Sequence, residues 1–163
     1  MWDKENPIGS VVLAHTNLTE IKQSVELLWR NDVPPEKVVL GLGFYGRSFE
    51  LTDPSCQSPG CPFSGAAAPG TCTNSAGTLA YFEIQDIIAD QKPKIVHDQE
   101  AAVNYLTFSN NQWVSWDDKI TFKQKTDWAN SVGLGGVSRP DTNSIHRLLT
   151  FACLAHDMEH RSR

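Results

Sequence analysis

The chain has 163 residues, of which 40% are hydrophobic and 20% are charged. This is the composition of a globular domain rather than of a disordered chain. Fourteen lysine and arginine residues against 19 aspartate and glutamate residues give a net charge of −5. Because no basic cluster interrupts this acidity, we expect neither nucleic acid nor an anionic membrane as a partner. No stretch approaches the roughly 18 consecutive apolar residues of a membrane span.

The first predicted elements are a helix and a buried strand. Asn17, with Glu20 three residues later, has the pattern of a helix N-cap and capping box, and apolar residues at helical spacing continue to about residue 30. Asn17 also begins an Asn-Leu-Thr glycosylation sequon, but we favour the capping role because a capping side chain is tied to the backbone. The apolar run over 38–45 then predicts a strand buried on both faces, typical of a parallel sheet.

Tyr45 and Arg47 stand two residues apart where this apolar run ends. Alternation along a strand puts both side chains on one face, at the carboxyl end of the strand. Ligands bind at that end in α/β barrels and open α/β sheets. The alternative is an edge strand that ends in a packed tyrosine and a solvated arginine. This pair is the first candidate for a binding site.

A change of composition at Asp53 marks an insertion or a functional loop. Residues 53–78 are rich in proline and glycine and lack periodicity, and we expect them to be without regular structure. They contain the clustered Cys56, Cys61 and Cys72, which predict one disulfide of undetermined pairing and leave Cys153 over. Zinc binding by the three is disfavoured because no fourth ligand lies close by.

The cysteine cluster is typical of an oxidising compartment, whereas the N-terminal sequence has neither the basic start nor the apolar segment of a signal peptide. This conflict suggests a piece of a longer protein. The remaining elements predict an antiparallel insertion followed by a return to α/β structure. They are a helix over 79–90, a short strand near 94–96, a hairpin of strands 103–107 and 113–116, a helix capped by Asp117 and Asp118 and stopped at Gly133, a strand at 135–137, and a helix over 143–158.

Several blocks of residues carry a resemblance to a known family. The blocks cover 2–3, 6–9, 15–21, 28–32, 41–49, 56–65, 77–84, 113–118 and 133–137. In this order they resemble the C-terminal half of a glycoside hydrolase family 18 chitinase of the fungal type. So many matching blocks in one order make a chance match very improbable.

The resemblance implies an α/β fold, the C-terminal part of a (β/α)8 TIM barrel with an inserted α+β module. It divides the chain into a barrel segment at 1–49 (helix six and strand seven), the module at 50–116, a barrel segment at 117–137 (the last helix and the start of strand eight), and a divergent tail at 138–163. The tail lacks the tryptophan of the family's strand eight, and we expect it to come from a shifted reading frame or a retained intron. Because two of eight strands cannot close a barrel, we expect aggregation or dependence on a missing segment, with the module best able to fold alone.

The resemblance also implies a function. Family members hydrolyse β-1,4 links in chitin with retention of configuration, and the substrate's own acetamide is the nucleophile. Their Asp-x-x-Asp-x-Asp-x-Glu signature does not occur in this sequence. We therefore assign no catalytic residue, metal or cofactor and expect the chain alone to be inactive. The expected partners are chitin or N-acetylglucosamine oligomers and the missing N-terminal half of the barrel, and the implied location is extracellular. The alternative is a non-catalytic chitin-binding or structural remnant.

Five residues match sugar-binding positions of the family. Trp2 would stack on the sugar beyond the cleavage point, since an indole face suits the apolar face of a pyranose, and Asp3 is a weaker candidate beside it. Tyr45 and Arg47 would reach hydroxyl and acetamide groups near the cleavage point. Glu83 would line the cleft. The alternatives are an exposed residue at a frayed terminus for Trp2 and a solvated helix residue for Glu83.

A third class of function rests on His156, Glu159 and His160, which match the His-x-x-Glu-His pattern of inverted zinc peptidases. The pattern stands three residues from the end of the sequence and has no fixed third ligand. We therefore favour a chance match.

Overall fold

The computed structural model describes residues 9–138 of the chain. None of the helices in that part of the chain has the length and apolarity needed to cross a bilayer. The elements are, in order, α1 (Leu18–Trp29), a 3₁₀ turn (Pro35–Lys37), β1 (Val39–Gly41), β2 (Tyr45–Leu51), β3 (Phe63–Ala66), β4 (Thr78–Ala80), α2 (Tyr81–Gln91), β5 (Val96–Asp98), β6 (Val103–Phe108), β7 (Gln112–Trp116), α3 (Lys119–Ser131) and β8 (Gly136–Ser138).

The strands form two sheets of different kinds. Strands β1 and β8 pair in parallel, with Leu40 opposite Val137. The other six strands form an antiparallel sheet in the order β3-β2-β7-β6-β5, and β4 pairs with the first half of β2. The described residues therefore combine a parallel α/β unit with an antiparallel unit.

The parallel pair is covered by helices on one face. Leu40 and Leu42 pack with Ala129 of α3, while Val39 is 54% exposed. Burial on both faces was predicted, and this prediction is wrong for the described residues because α1 and α3 lie on the same side of β1. The single strand predicted over 38–45 is also wrong, since β1 ends at Gly41 and a separate strand, β2, begins at Tyr45.

The antiparallel sheet is covered on both faces. One face carries a core of Val12, Ala14, Leu51, Cys61, Phe63, Ala101, Val103 and Trp113. The other face packs against α2 through Leu79, Ile84, Leu106, Val114 and Trp116. A Cβ at Gly46 would lie 2.7 Å from the Ile84 side chain, so the glycine allows α2 to approach β2 closely.

Elements with strong local signals lie where the sequence predicts them. The first helix begins after Asn17, whose side chain accepts a hydrogen bond from Thr19 N–H at 2.9 Å, as expected of an N-cap. The hairpin of β6 and β7 and the strand β8 are confirmed. The helix α3 is confirmed as well, with Gly133 just beyond its end at a φ of 75°.

Other predicted elements are corrected. Residues 53–78 include β3, which pairs with the edge of β2 through main-chain bonds and needs no alternating side-chain pattern. Thr78–Ala80 form β4, so α2 begins at Tyr81 rather than at residue 79. The short strand near 94–96 is found at Val96–Asp98. The helix over 143–158 and the His156–His160 pattern lie outside the described residues.

Candidate functional site

Tyr45 and Arg47 lie together at the start of β2. The prediction that they end the buried strand is wrong, because they follow β1 after a three-residue connection. Their side chains share one face of the sheet, and the Arg47 guanidinium carbon lies 5.6 Å from the centre of the Tyr45 ring. A cation over an aromatic face is stabilised by about 0.5–1 kcal/mol at an exposed position. The Tyr45 residue is 37% exposed, so part of it remains open to a ligand.

The imidazole of His15 stacks on the Tyr45 ring. The two ring centres lie 5.2 Å apart, with an angle of 25° between the ring planes. Sequence reasoning gave His15 no role, since no local pattern distinguishes a histidine that stacks on a residue of a later strand. The contact places His15 against the Tyr45 ring, where it supports that ring.

A buried ion pair lies behind this stack. The Lys125 ammonium donates to Oδ1 of Asp117, and both side chains are fully buried. Thr16 joins the pair, because its hydroxyl donates to Asp117 Oδ2 at 2.8 Å and accepts from Lys125 Nζ at 3.1 Å. Burial lowers the pKa of Lys125, and the neighbouring Asp117 opposes that shift. We call these three residues the Thr16–Asp117–Lys125 network.

This network corrects the prediction that both Asp117 and Asp118 cap α3. Only Asp118 acts as the N-cap, and its side chain accepts from the N–H groups of Ile120 and Thr121. Asp117 is the last buried residue before the helix and is used by the ion pair. Two adjacent aspartates thus have different roles, which spacing alone does not distinguish.

His15 is neutral at physiological pH. Burial lowers its pKa to about 4, and the positive charges of Lys125 and Arg47 act in the same direction. Asp117 and a contact with the main chain of Tyr45 oppose the shift only in part. Among the described residues, neither ring nitrogen of His15 meets a partner with full hydrogen-bond geometry.

The Glu83 carboxylate is occupied by main-chain donors. Its Oε1 accepts from Cys72 N–H at 2.7 Å and from Thr73 N–H at 3.0 Å. Its Oε2 accepts from Ala80 N–H at 2.8 Å, which is the reciprocal half of a capping box on a helix whose N-cap alanine has no acceptor of its own. Glu83 is 4% exposed, so the alternative of a solvated helix glutamate is wrong. Direct contact with a sugar stays a prediction for this residue.

A cavity of about 580 Å³ lies on the α2 side of the antiparallel sheet, between α2 and residues 68–71. Glu83 and Asp86 are among its lining residues, but Tyr45 and Arg47 are not. The cavity and the Tyr45 stack are therefore separate features. Among the described residues, no group of three side chains is arranged to hold a metal ion.

A disulfide joins Cys56 to Cys61, and none of the cysteines in the described part of the chain, Cys72 included, is a free thiol. The loop that this disulfide closes is fastened to the segment that leads to His15, since Val12 N–H donates to the Cys61 carbonyl at 2.8 Å and Gly60 N–H donates to the Val12 carbonyl at 2.8 Å. The candidates Trp2 and Asp3, and also Cys153, lie outside the described residues.

Comparison with known proteins relates these features to a family. The model of the family "Glycosyl hydrolases family 18" matches residues 1–139. A relative from Penicillium expansum, "Secreted chitinase LysM12", is 31% identical over an alignment 150 residues long, gaps included, and the match covers 83% of this chain and 10% of that protein. "Chitotriosidase-1" of Mus musculus is 38% identical over 116 residues, or 71% of this chain and 24% of that protein. Relatives thus come from fungi and mammals alike, and the comparisons do not single out the fungal type.

Solved structures agree with this relationship. The Group IV chitinase of Ostrinia furnacalis is 30% identical with a TM-score of 0.68, and the match covers 80% of this chain and 37% of that one. Human YKL-39, described as a pseudo-chitinase with retained chitooligosaccharide binding properties, is 34% identical with a TM-score of 0.67. This match covers 73% of this chain and 32% of that one. The chain therefore spans about a third of these two structures and a smaller share of the two curated relatives. It belongs to glycosyl hydrolase family 18.

Proposed function

We propose that the chain forms one wall of the chitin-binding cleft of a family 18 chitinase, in which Tyr45 and Arg47 contact an N-acetylglucosamine unit. The observation that carries this proposal is the exposed Tyr45 ring with the Arg47 guanidinium beside it, at the junction of the two sheets. A phenol and a guanidinium can donate to the hydroxyl and acetamide oxygens of the sugar. The aromatic ring also offers a rigid apolar surface.

The proposed fold is the C-terminal part of a (β/α)8 barrel. In it β1 and β8 are adjacent parallel strands, and the antiparallel sheet is the inserted module. The parallel pairing of two strands about a hundred residues apart supports this, because a crossover connection must separate parallel strands. The boundaries 1–49, 50–116, 117–137 and 138–163 are retained as proposals, although the first falls inside β2. Trp2 and Asp3 are retained as further sugar contacts, and the fungal type of chitinase is proposed as well.

Hydrolysis would need the catalytic carboxylic acid of the family's signature, and that signature does not occur in this sequence. Two buried acids near the proposed cleft are already engaged. The carboxylate of Asp117 is paired with Lys125, and that of Glu83 accepts three main-chain hydrogen bonds. We therefore propose that the chain binds chitin oligomers by itself without cleaving them.

A second candidate is a non-catalytic chitin-binding protein. It is favoured by the similarity to human YKL-39, which is described as a pseudo-chitinase that retains chitooligosaccharide binding. The two candidates differ in whether residues outside this sequence supply an acid. Both are compatible with an extracellular location, which is supported by the disulfide and by the relative described as a secreted chitinase.

The proposal is tested by calorimetric titration of the chain with the tetramer of N-acetylglucosamine. Tyr45→Ala is expected to weaken binding at least about tenfold, or about 1.4 kcal/mol. Tyr81→Ala is the matched control, because Tyr81 is similarly exposed at 39% but lies on α2. An equal loss in both variants, or no binding by the unaltered chain, would contradict the proposal. Release of a chromophore from a chromogenic oligomer by the purified chain would contradict the predicted inactivity.

A further inference from the structure

We infer that His15 is a positioning residue for Tyr45, and that its imidazole, anchored by the Thr16–Asp117–Lys125 network, fixes the phenol ring at which the sugar would bind. The inference rests on the proposed function for what Tyr45 binds. The stack itself stands on the structure alone. Nothing in the local sequence pattern indicates such a role.

The rings of His15 and Tyr45 lie directly against each other. His15 and Tyr45 stack at 5.2 Å with an angle of 25° between their planes. A Cβ at Gly43 would lie 3.2 Å from Tyr45 Cε1 and 3.6 Å from His15 Nε2. The backbone of residue 43 thus closes off the side of the ring pair, and the two rings have little room to separate in that direction.

His15 is anchored through the residue that follows it. The next residue, Thr16, has a φ of 61°, which is an unfavourable backbone conformation for a β-branched residue. Such conformations persist where the surroundings determine them. Here Thr16 is bonded to Asp117 at the end of β7 and to Lys125 of α3. The position of His15 is therefore set by two elements that are far from it in sequence.

The His15 imidazole contacts Tyr45 through its ring face and not through its nitrogen atoms. Both of its nitrogen atoms are buried and lack a full hydrogen-bond partner among the described residues, an arrangement that costs free energy. An apolar ring of similar shape would avoid that cost. His15→Phe should consequently keep the stack, whereas His15→Ala should remove it. The groups that act on the ring are Asp117, Lys125, Arg47 and the main chain of Tyr45.

The test is ¹⁹F NMR of the chain labelled with 3-fluorotyrosine, which gives three signals because the sequence has three tyrosines. Substitution of each tyrosine by phenylalanine assigns them. His15→Ala is expected to move the Tyr45 signal toward the value of a solvated tyrosine and to weaken binding of the N-acetylglucosamine tetramer by five- to tenfold. His15→Phe is expected to leave both within twofold of the unaltered chain. Tyr105, whose ring stacks on Trp113 at 5.7 Å, reports whether the chain stays folded.

A pH titration separates positioning from a general structural effect. The Tyr45 signal should be constant from pH 7 to about 6, a range in which the fluorinated phenol stays protonated, and should shift as the pH approaches 4, where His15 gains a proton beside Arg47 and Lys125. In His15→Phe this step should be absent. A purely structural role would move the Tyr105 signal together with that of Tyr45.

Each remaining outcome decides the question. A Tyr45 signal that is unchanged in His15→Ala overturns the inference, whatever happens to sugar binding. A solvated Tyr45 signal in the unaltered chain overturns it as well, because the stack is then absent. If the Tyr45 signal depends on His15 but the unaltered chain binds no tetramer, the positioning holds and the proposed function fails.

Discussion

The two sheets of this chain differ in where their burial comes from. In β7 of the antiparallel sheet, consecutive residues such as Trp113 and Val114 are both 0% exposed, because each face meets a core formed within the described residues. In β1 of the parallel pair, Leu40 is 8% exposed but its neighbour Val39 is 54% exposed. The antiparallel sheet meets a core on both faces within the described residues, whereas the parallel pair is covered on one face only.

The largest effect that would test this comparison is expected at Trp113. Trp113→Ala should destabilise the antiparallel sheet by about 3–5 kcal/mol, because it leaves a large cavity in a close-packed core and removes the donor to the Gln57 carbonyl. Urea unfolding followed by circular dichroism measures the loss. Val39→Ala in β1 is the control and should cost less than about 0.5 kcal/mol. Similar costs for the two variants would mean that the sheets do not differ in this way.

The second effect concerns the ion pair that ties α3 to the end of β7. Lys125→Met should destabilise the chain by about 3 kcal/mol or more, because it leaves the Asp117 carboxylate buried without its cation. Lys123→Met is the matched control on the same helix. Its partner is Asp127 at 2.6 Å, but that pair is exposed, and its loss should cost less than about 0.5 kcal/mol.

A double variant sharpens this prediction. Adding Asp117→Asn to Lys125→Met removes the remaining charge and should recover part of the lost stability. No recovery would indicate that the lysine stem, rather than its charge, stabilises the fold at this point. The measurement is the urea midpoint of unfolding, at equal urea slopes, of the unaltered chain, Lys123→Met, Lys125→Met and the double variant.

How well an element could be predicted from the sequence depends on how close together its determining residues are along the chain. The cap of α1 at Asn17, the hairpin of β6 and β7, and the glycine after α3 depend on residues within a few positions of one another, and these predictions were correct. The strand β3 was not predicted, because its pairing with β2 is decided by an available strand edge rather than by its own side chains.

The candidate site was predictable only in part. The pairing of Tyr45 with Arg47 follows from a spacing of two along a strand. The stack of His15 on Tyr45 and the ion pair of Asp117 required contacts between distant segments, and no local pattern carries them. The sequence predicted that Glu83 lines a cleft, but it did not show that the backbone of a loop about ten residues earlier donates hydrogen bonds to its carboxylate.

The next effect is the loss of stability in acid that the buried His15 causes. His15 is neutral in the fold with a pKa of about 4, while its value in the unfolded chain is 6.5. Between these pH values the unfolded chain binds a proton at His15 more readily than the folded chain does. The free energy of unfolding therefore has its full value above about pH 6.5 and decreases as the pH falls toward 4. The loss is about 3 kcal/mol for a shift of this size. Unfolding free energies at pH 7 and pH 4 should differ by that much more in the unaltered chain than in His15→Phe.

The smallest effect comes from the same substitution made in each sheet. At Gly46 in β2, an added Cβ would lie 2.7 Å from atoms of both Ile84 and Val114, so Gly46→Ala should destabilise by about 1–3 kcal/mol through overpacking. At Gly41 in β1, nothing lies within 4 Å of the added Cβ. Gly41→Ala should therefore be neutral or stabilise by about 0.4–1 kcal/mol, since it restricts the unfolded chain. The urea midpoints of the two variants, compared at a constant slope, measure these changes in stability. A loss at Gly41 as large as that at Gly46 would mean that the face of β1 that carries Val39 and Gly41 is already packed in solution.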